Sequence, residues 1–142
     1  MANALVFDTI YNPMETKLLK QAKAAGIRTI PQIEAGELAE RMARGNVTVV
    51  DVRGRPEWEA GHLPGVPNVP LPSLVERLSG IPRGKPVVVQ CQGGARSMIA
   101  ASVLRVHGLH SVINLTGGFA DWHRAGLPVE HALDQGFGSL GT

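Results

Sequence analysis

One cysteine, a glycine pair and an Arg-Ser step follow one another in Cys91-Gln92-Gly93-Gly94-Ala95-Arg96-Ser97. Gly93 and Gly94 carry no side chains, so the backbone there can curl and turn successive N–H groups inward. A helix beginning near Ser97 adds the positive end of its dipole. The arrangement is an anion cradle, and Arg96 brings a full positive charge beside it. A thiol in such a field is drawn toward the thiolate, the nucleophilic form, so Cys91 is the candidate nucleophile. The competing reading is an inert core cysteine, since cysteine is among the most buried residue types; the Gly-Gly and Arg-Ser pattern argues against it. The Gly-Lys-Ser/Thr ending of a nucleotide-binding loop is absent, which removes nucleoside triphosphates as ligands.

The elements that must position this loop can be read from periodicity and punctuation. Val47–Asp51, Val87–Gln90 and Val112–Leu115 are short, β-branched and apolar, as buried strands are. Cys91 stands at the carboxyl end of the second. Helices are expected at Ala35–Ala43, where Leu38 and Met42 share a face and Gly45 closes the run, at Ser97–His107, stopped by Gly108, and at Phe119–Ala125, stopped by Gly126. Between Arg53 and Pro72 the glycines and prolines allow one helical turn at Glu57–Ala60 and a short strand at Val66–Val69, followed by a helix at Ser73–Leu78. Upstream, Ala4–Asp8 reads as a strand, and Asn12 caps a helix running to Ala25, with Ile27–Ile30 a further short strand. Strands alternating with helices indicate an α/β domain with a largely parallel sheet flanked by helices on both faces. Ligands of such sheets sit at the carboxyl ends of the strands, where Cys91 lies.

Composition narrows the function. A chain of 142 residues that is 44% hydrophobic and 18% charged can bury a single core. Its formal charge of +2 comes from scattered residues, without the concentrated cationic footprint of a nucleic-acid binder. A single cysteine allows neither an intramolecular disulfide nor a multi-cysteine zinc site. His107 and His110 are three apart, but Gly108 should end the helix between them, so no metal is expected. No run approaches the roughly 18 apolar residues of a membrane span. Met1–Lys20 shows no basic leader followed by an apolar stretch, so a cytoplasmic location, which suits a free thiol, is the expectation.

Four ordered motifs resemble the rhodanese-like sulfurtransferases over about Ile33–Glu130: Val49-Val50-Asp51-Val52-Arg53; Gly61-His62-Leu63-Pro64-Gly65-Val66; the Cys91–Ser97 loop; and Leu115-Thr116-Gly117-Gly118-Phe119 with Trp122, followed by Gly126-Leu127-Pro128. The resemblance implies a rhodanese-like domain over 31–130, with 131–142 a tail that frays from Gly136. It implies that Cys91 accepts sulfur and that Gln92, Gly93, Gly94, Ala95 and Ser97 surround its persulfide. Arg96 would either attract an anionic donor or hold the loop through Asp51 or a carbonyl. Asp51 and Arg53 match a supporting motif whose plainer reading is an exposed ion pair ending a strand. His62 matches a structural histidine, read here as a turn residue bonded to backbone. The four residues between Cys91 and Arg96 are one fewer than the cysteine-dependent phosphatases place there.

The activity so implied is two-step transfer of a sulfane sulfur: from a donor such as thiosulfate onto Cys91, then to cyanide or a thiol, a protein thiol or persulfide included. It needs no cofactor. The alternative of another class is a non-catalytic rhodanese-like module that docks a partner. Residues 1–30 form an extension that is similar to a strand-and-helix segment of shikimate dehydrogenases, without the glycine-rich dinucleotide loop. The oligomeric state is left open.

Overall fold

A computed structural model describes residues 30–131. The elements expected over Ala4–Ala25, the dehydrogenase-like segment and the tail from Gly136 lie outside these residues. Four parallel strands, β1 (Gln32–Ile33), β2 (Thr48–Asp51), β3 (Val87–Gln90) and β4 (Val112–Leu115), form one sheet in the order β1-β4-β3-β2. Among these residues are four α-helices: α1 (Ala35–Arg44), α2 (Arg55–Ala60) and α3 (Ala95–Val106), each between successive strands, and α4 (Gly118–Arg124) after β4. Side chains alternate across the sheet. Val50, Val52, Val87, Val89 and Cys91 pack with Ile99, Val103 and Leu104 of α3, while Ile33, Val49, Val88 and Leu115 pack with Leu38 of α1 and Trp122 of α4. Every residue of β3 is buried, as expected of a parallel strand covered on both sides. The α/β architecture expected from the sequence is the one found.

Two local expectations are corrected, and a third lies almost wholly outside the described residues. The strand expected at Val66–Val69 is reduced to one bridge, Asp51 with Asn68. Pro67 and Pro70 have no N–H to extend a ladder. The segment still seals the outer edge of β2, because Asp51 N donates to Pro67 O (3.0 Å), Val69 N to Asp51 O (2.8 Å) and Leu71 N to Val52 O (3.0 Å). In place of an α-helix at Ser73–Leu78 there are two 3-10 helices, Leu71–Ser73 and Val75–Gly80. The stretch between Pro72 and Pro82 is too short to offset the cost of nucleating an α-helix, and i→i+3 bonds suffice. Of the strand expected at Ile27–Ile30 only Ile30 is described, outside any strand; pairing starts at Gln32, beyond Pro31.

The start of α3 also differs, and this difference shapes the site. The helix begins at Ala95 because Gly94, at φ 108°, turns the chain directly out of the loop and into the first turn. Ala95 and Arg96 therefore belong to the helix rather than preceding it.

Candidate active site

Cys91 follows the last residue of β3, the inner strand flanked by β2 and β4, and only 1% of it is exposed. Its Sγ accepts hydrogen bonds from Gly94 N (3.1 Å) and Ser97 N (3.3 Å), and Ser97 Oγ lies 3.4 Å away. The amides of Gly93, Ala95 and Arg96 have no acceptor among the described residues. Unpaired donors are costly in an interior and normally satisfied. Here they belong to the partly exposed loop that follows Cys91. The cradle expected from Gly93, Gly94 and the helix start is assembled, with Ser97 supplying both an amide and a hydroxyl.

Arg96 takes neither expected partner. Its Nη1 and Nη2 donate to Glu57 Oε1 and Oε2 at 2.8 and 2.9 Å, a two-pronged pair that ties α2 to the first turn of α3. Arg96 makes no hydrogen bond to Asp51 or to a loop carbonyl among the described residues. The hydrogen bond from Arg96 holds the Glu57 carboxyl below its ordinary range, and the same bond raises Arg96. Cys91 adds a smaller coulombic pull on Arg96 in the same direction.

The pair formed by Asp51 and Arg53 is buried, not exposed: the two side chains are 0% and 2% accessible. Arg53 closes on the carboxylate of Asp51 with its backbone N (2.9 Å), Nε (3.1 Å) and Nη2 (2.9 Å). The remaining donors reach outward, Nη2 to Gly61 O (2.6 Å) and Nη1 to Gln92 Oε1 (3.1 Å), and the guanidinium lies 4.5 Å over the ring of Phe119. One arginine thus joins the end of β2, the α2 turn and the exposed side of the loop. His62 behaves as expected: it is buried, stacked 3.9 Å from Trp58, and bonded through Nδ1 to Trp58 O at 2.7 Å.

Three residues at the site had no role assigned by sequence reasoning. Gly118, at φ 57°, opens α4 against the loop; a Cβ there would meet the Cys91 carbonyl oxygen and come within 2.8 Å of the Gln92 carbonyl carbon. That closeness lets Phe119 N donate to Cys91 O (2.7 Å) and Ala120 N to Gln92 O (3.0 Å). The Gly117-Gly118 pair was visible as part of a motif; its target was not. Asn114 of β4 accepts from Ser97 Oγ, and the signal for it is an asparagine inside an apolar strand. Glu57 gave no signal beyond its place three residues after Gly54.

Residues 34–125 match the family described as the rhodanese-like domain. A protein of Allochromatium vinosum named "Sulfurtransferase" is 36% identical over 101 residues, covering 70% of this chain and 94% of that one. An HTH-type transcriptional regulator of Mycobacterium tuberculosis is 36% identical over 108 residues, 75% of this chain and 47% of the regulator, so the chain spans about half of that relative's length. Among solved structures, a rhodanese-related protein of Thermoplasma volcanium superposes with a TM-score of 0.65 at 32% identity, covering 70% of this chain and 97% of that one.

Proposed function

The chain belongs to the rhodanese-like family, and on that premise we propose that it is a sulfurtransferase working through a persulfide on Cys91. The observation that carries the reading is the run of N–H groups in the loop that follows the buried sulfur: two donate to Sγ, and three more, on Gly93, Ala95 and Arg96, have no acceptor among the described residues. A persulfide ends in a second, anionic sulfur, and unpaired amides beside Sγ are suited to hold it.

In the first step the Cys91 thiolate attacks the outer sulfur of a donor such as thiosulfate. A Cys–S bond to sulfur forms, the sulfur–sulfur bond of the donor breaks, and sulfite leaves with the electron pair. In the second, an acceptor such as cyanide or a thiolate attacks the terminal sulfur, and Cys91 leaves as thiolate. No redox partner is required in the cyanide case. Gln92, Gly93, Gly94, Ala95 and Ser97 surround the transferred sulfur and hold it through backbone amides. Arg96, engaged by Glu57, acts as a positioning residue that keeps the loop registered on α2, and its charge is partly compensated there. Asp51 and Arg53 support the loop from below through Gln92. Small sulfur compounds, or a partner protein's thiol or persulfide, are the partners that suit this site, and a reducing compartment such as the cytoplasm suits its free thiol. No helix among the described residues is long and apolar enough to cross a membrane.

Intact-protein mass spectrometry tests the proposal. Incubation with thiosulfate should add the mass of one sulfur atom to the chain and cyanide should remove it, while Cys91→Ser should gain nothing, because a hydroxyl cannot carry the sulfane sulfur. Sulfur loading on the serine variant, or none on the native chain with thiosulfate, polysulfide or a persulfide donor, would overturn it. The second outcome would favour a docking module.

A further inference from the structure

The polar contacts of Cys91 continue beyond Ser97 to the far edge of the sheet. Ser97 Oγ faces three groups at once: Cys91 Sγ at 3.4 Å, Gly94 O at 3.1 Å and Asn114 Oδ1 at hydrogen-bond distance. It has one hydrogen to give. Which group receives it is decided on β1. Gln32 directs one amide atom at Ile30 O (3.3 Å) and Met98 Sδ (3.1 Å), both of which only accept, so that atom is the nitrogen. Its oxygen then faces the other way, 2.9 Å from Asn114 and 3.2 Å from Thr116 Oγ1. An oxygen only accepts, so Asn114 must present its Nδ2 to Gln32 and its Oδ1 to Ser97. Asn114 Oδ1 only accepts in turn and lies nearer to Ser97 Oγ than Gly94 O does, so the hydroxyl hydrogen goes to Asn114 in preference to the carbonyl.

This chain of directions has a chemical consequence at the sulfur. With its hydrogen on Asn114, Ser97 offers Cys91 a lone pair, which suits the hydrogen of a neutral thiol. When Cys91 is an anion, the hydroxyl can donate to sulfur only by leaving Asn114, whose buried oxygen then loses its donor. We infer that Asn114, oriented by Gln32, is a positioning residue that competes with the Cys91 sulfur for the hydroxyl hydrogen of Ser97. The sulfur anion is thereby held by backbone amides and denied the full help of the hydroxyl, which keeps its charge available for attack. The inference rests on Cys91 being the reacting sulfur, but on no particular donor or acceptor.

Alkylation of Cys91 by iodoacetamide, followed on the full chain by intact mass, reads this competition without any sulfur transfer. The reaction is run one pH unit below the midpoint of the native chain's own alkylation profile, where the thiolate is a minority. Asn114→Ala removes the nearer competitor and leaves only Gly94 O against the sulfur anion, the stronger acceptor, so one net hydrogen bond to the anion should speed alkylation roughly threefold. Asn114→Asp, which keeps the acceptor and adds a negative charge, should slow it. In a Ser97→Ala background the Asn114→Ala effect should vanish, since Asn114 acts only through Ser97. Gln32→Ala, made at an exposed position on the sheet edge, should speed alkylation by a smaller factor, and it carries the test if the buried substitution impairs folding. Unchanged or slower alkylation in both Asn114→Ala and Gln32→Ala, or an equal effect with and without Ser97, would overturn the inference. A chain that alkylates as expected yet never takes up sulfur would instead sink the transfer reading and leave this one standing.

Discussion

Gly118→Ala isolates what holds the cysteine loop in place. Gly118 and Gly126 both adopt left-handed backbone, at φ 57° and 76°, and an alanine at either would add about 1–2 kcal/mol of strain. At Gly126 the new methyl meets nothing within 4 Å, so strain is the whole effect. At Gly118 it meets the backbone of Cys91 and Gln92, which cannot swing aside as a side chain could. The loop must lift, and the two hydrogen bonds that clamp it, Phe119 N to Cys91 O and Ala120 N to Gln92 O, lengthen or break. At about 1 kcal/mol each, their loss should make Gly118→Ala roughly 2 kcal/mol less stable than Gly126→Ala. Urea unfolding of both variants measures that difference directly, with the slope checked for constancy. Sulfur loading from thiosulfate should be lost or strongly slowed in Gly118→Ala and normal in Gly126→Ala. Two variants equal in stability and in loading would show that α4 does not position the loop.

The two charge pairs around the site should respond differently. Glu57→Gln should cost less than about 1 kcal/mol at pH 7, because the carboxylate is 40% exposed and its pair with Arg96 is screened. Because Arg96 depresses the folded-state value of Glu57, that contribution is present above the ordinary glutamate range and fades as pH falls through the lower folded value. Stability curves of the native and Glu57→Gln chains should therefore converge below about pH 4. The same substitution leaves Arg96 uncompensated beside the loop, so KM for thiosulfate should fall about threefold at low ionic strength and return to the native value at high salt, as steady-state kinetics would show. Arg53→Met should cost about 3–5 kcal/mol in urea unfolding, since it strands the buried Asp51 carboxylate, and adding Asp51→Asn should recover part of the loss.

What the sequence disclosed depended on how far apart the interacting residues lie. The cradle is local: Cys91, the glycines and Ser97 fall within seven consecutive positions, and glycine freedom, helix polarity and thiol chemistry are properties of residue types. The strands were legible for the same reason, since a buried parallel strand announces itself in a short run of adjacent apolar, mostly β-branched residues, as at Val47–Val50 and Val87–Val89. The partners of Arg96 and Ser97 were not legible, because Glu57 lies 39 positions from Arg96 and Asn114 lies 17 from Ser97, and only the sheet order brings them together. The burial of the Asp51–Arg53 pair was missed for a related reason. A strand end followed by glycine and proline looks solvated until α2, Gly61 and Phe119 close over it.

The burial of Cys91 sets an order of events for the transfer proposed here. Core side chains pack beneath the residue, Ser97 stands beside the sulfur, and the loop encircles it, so reactants must share the approach through that loop. Donor and acceptor then cannot occupy the site together: sulfite has to depart before the accepting nucleophile can reach the terminal sulfur. A protein working in this way is a one-berth ferry, loaded and unloaded at the same landing. Its double-reciprocal plots at several fixed donor concentrations should be parallel, and the loaded chain should survive gel filtration with its sulfur aboard.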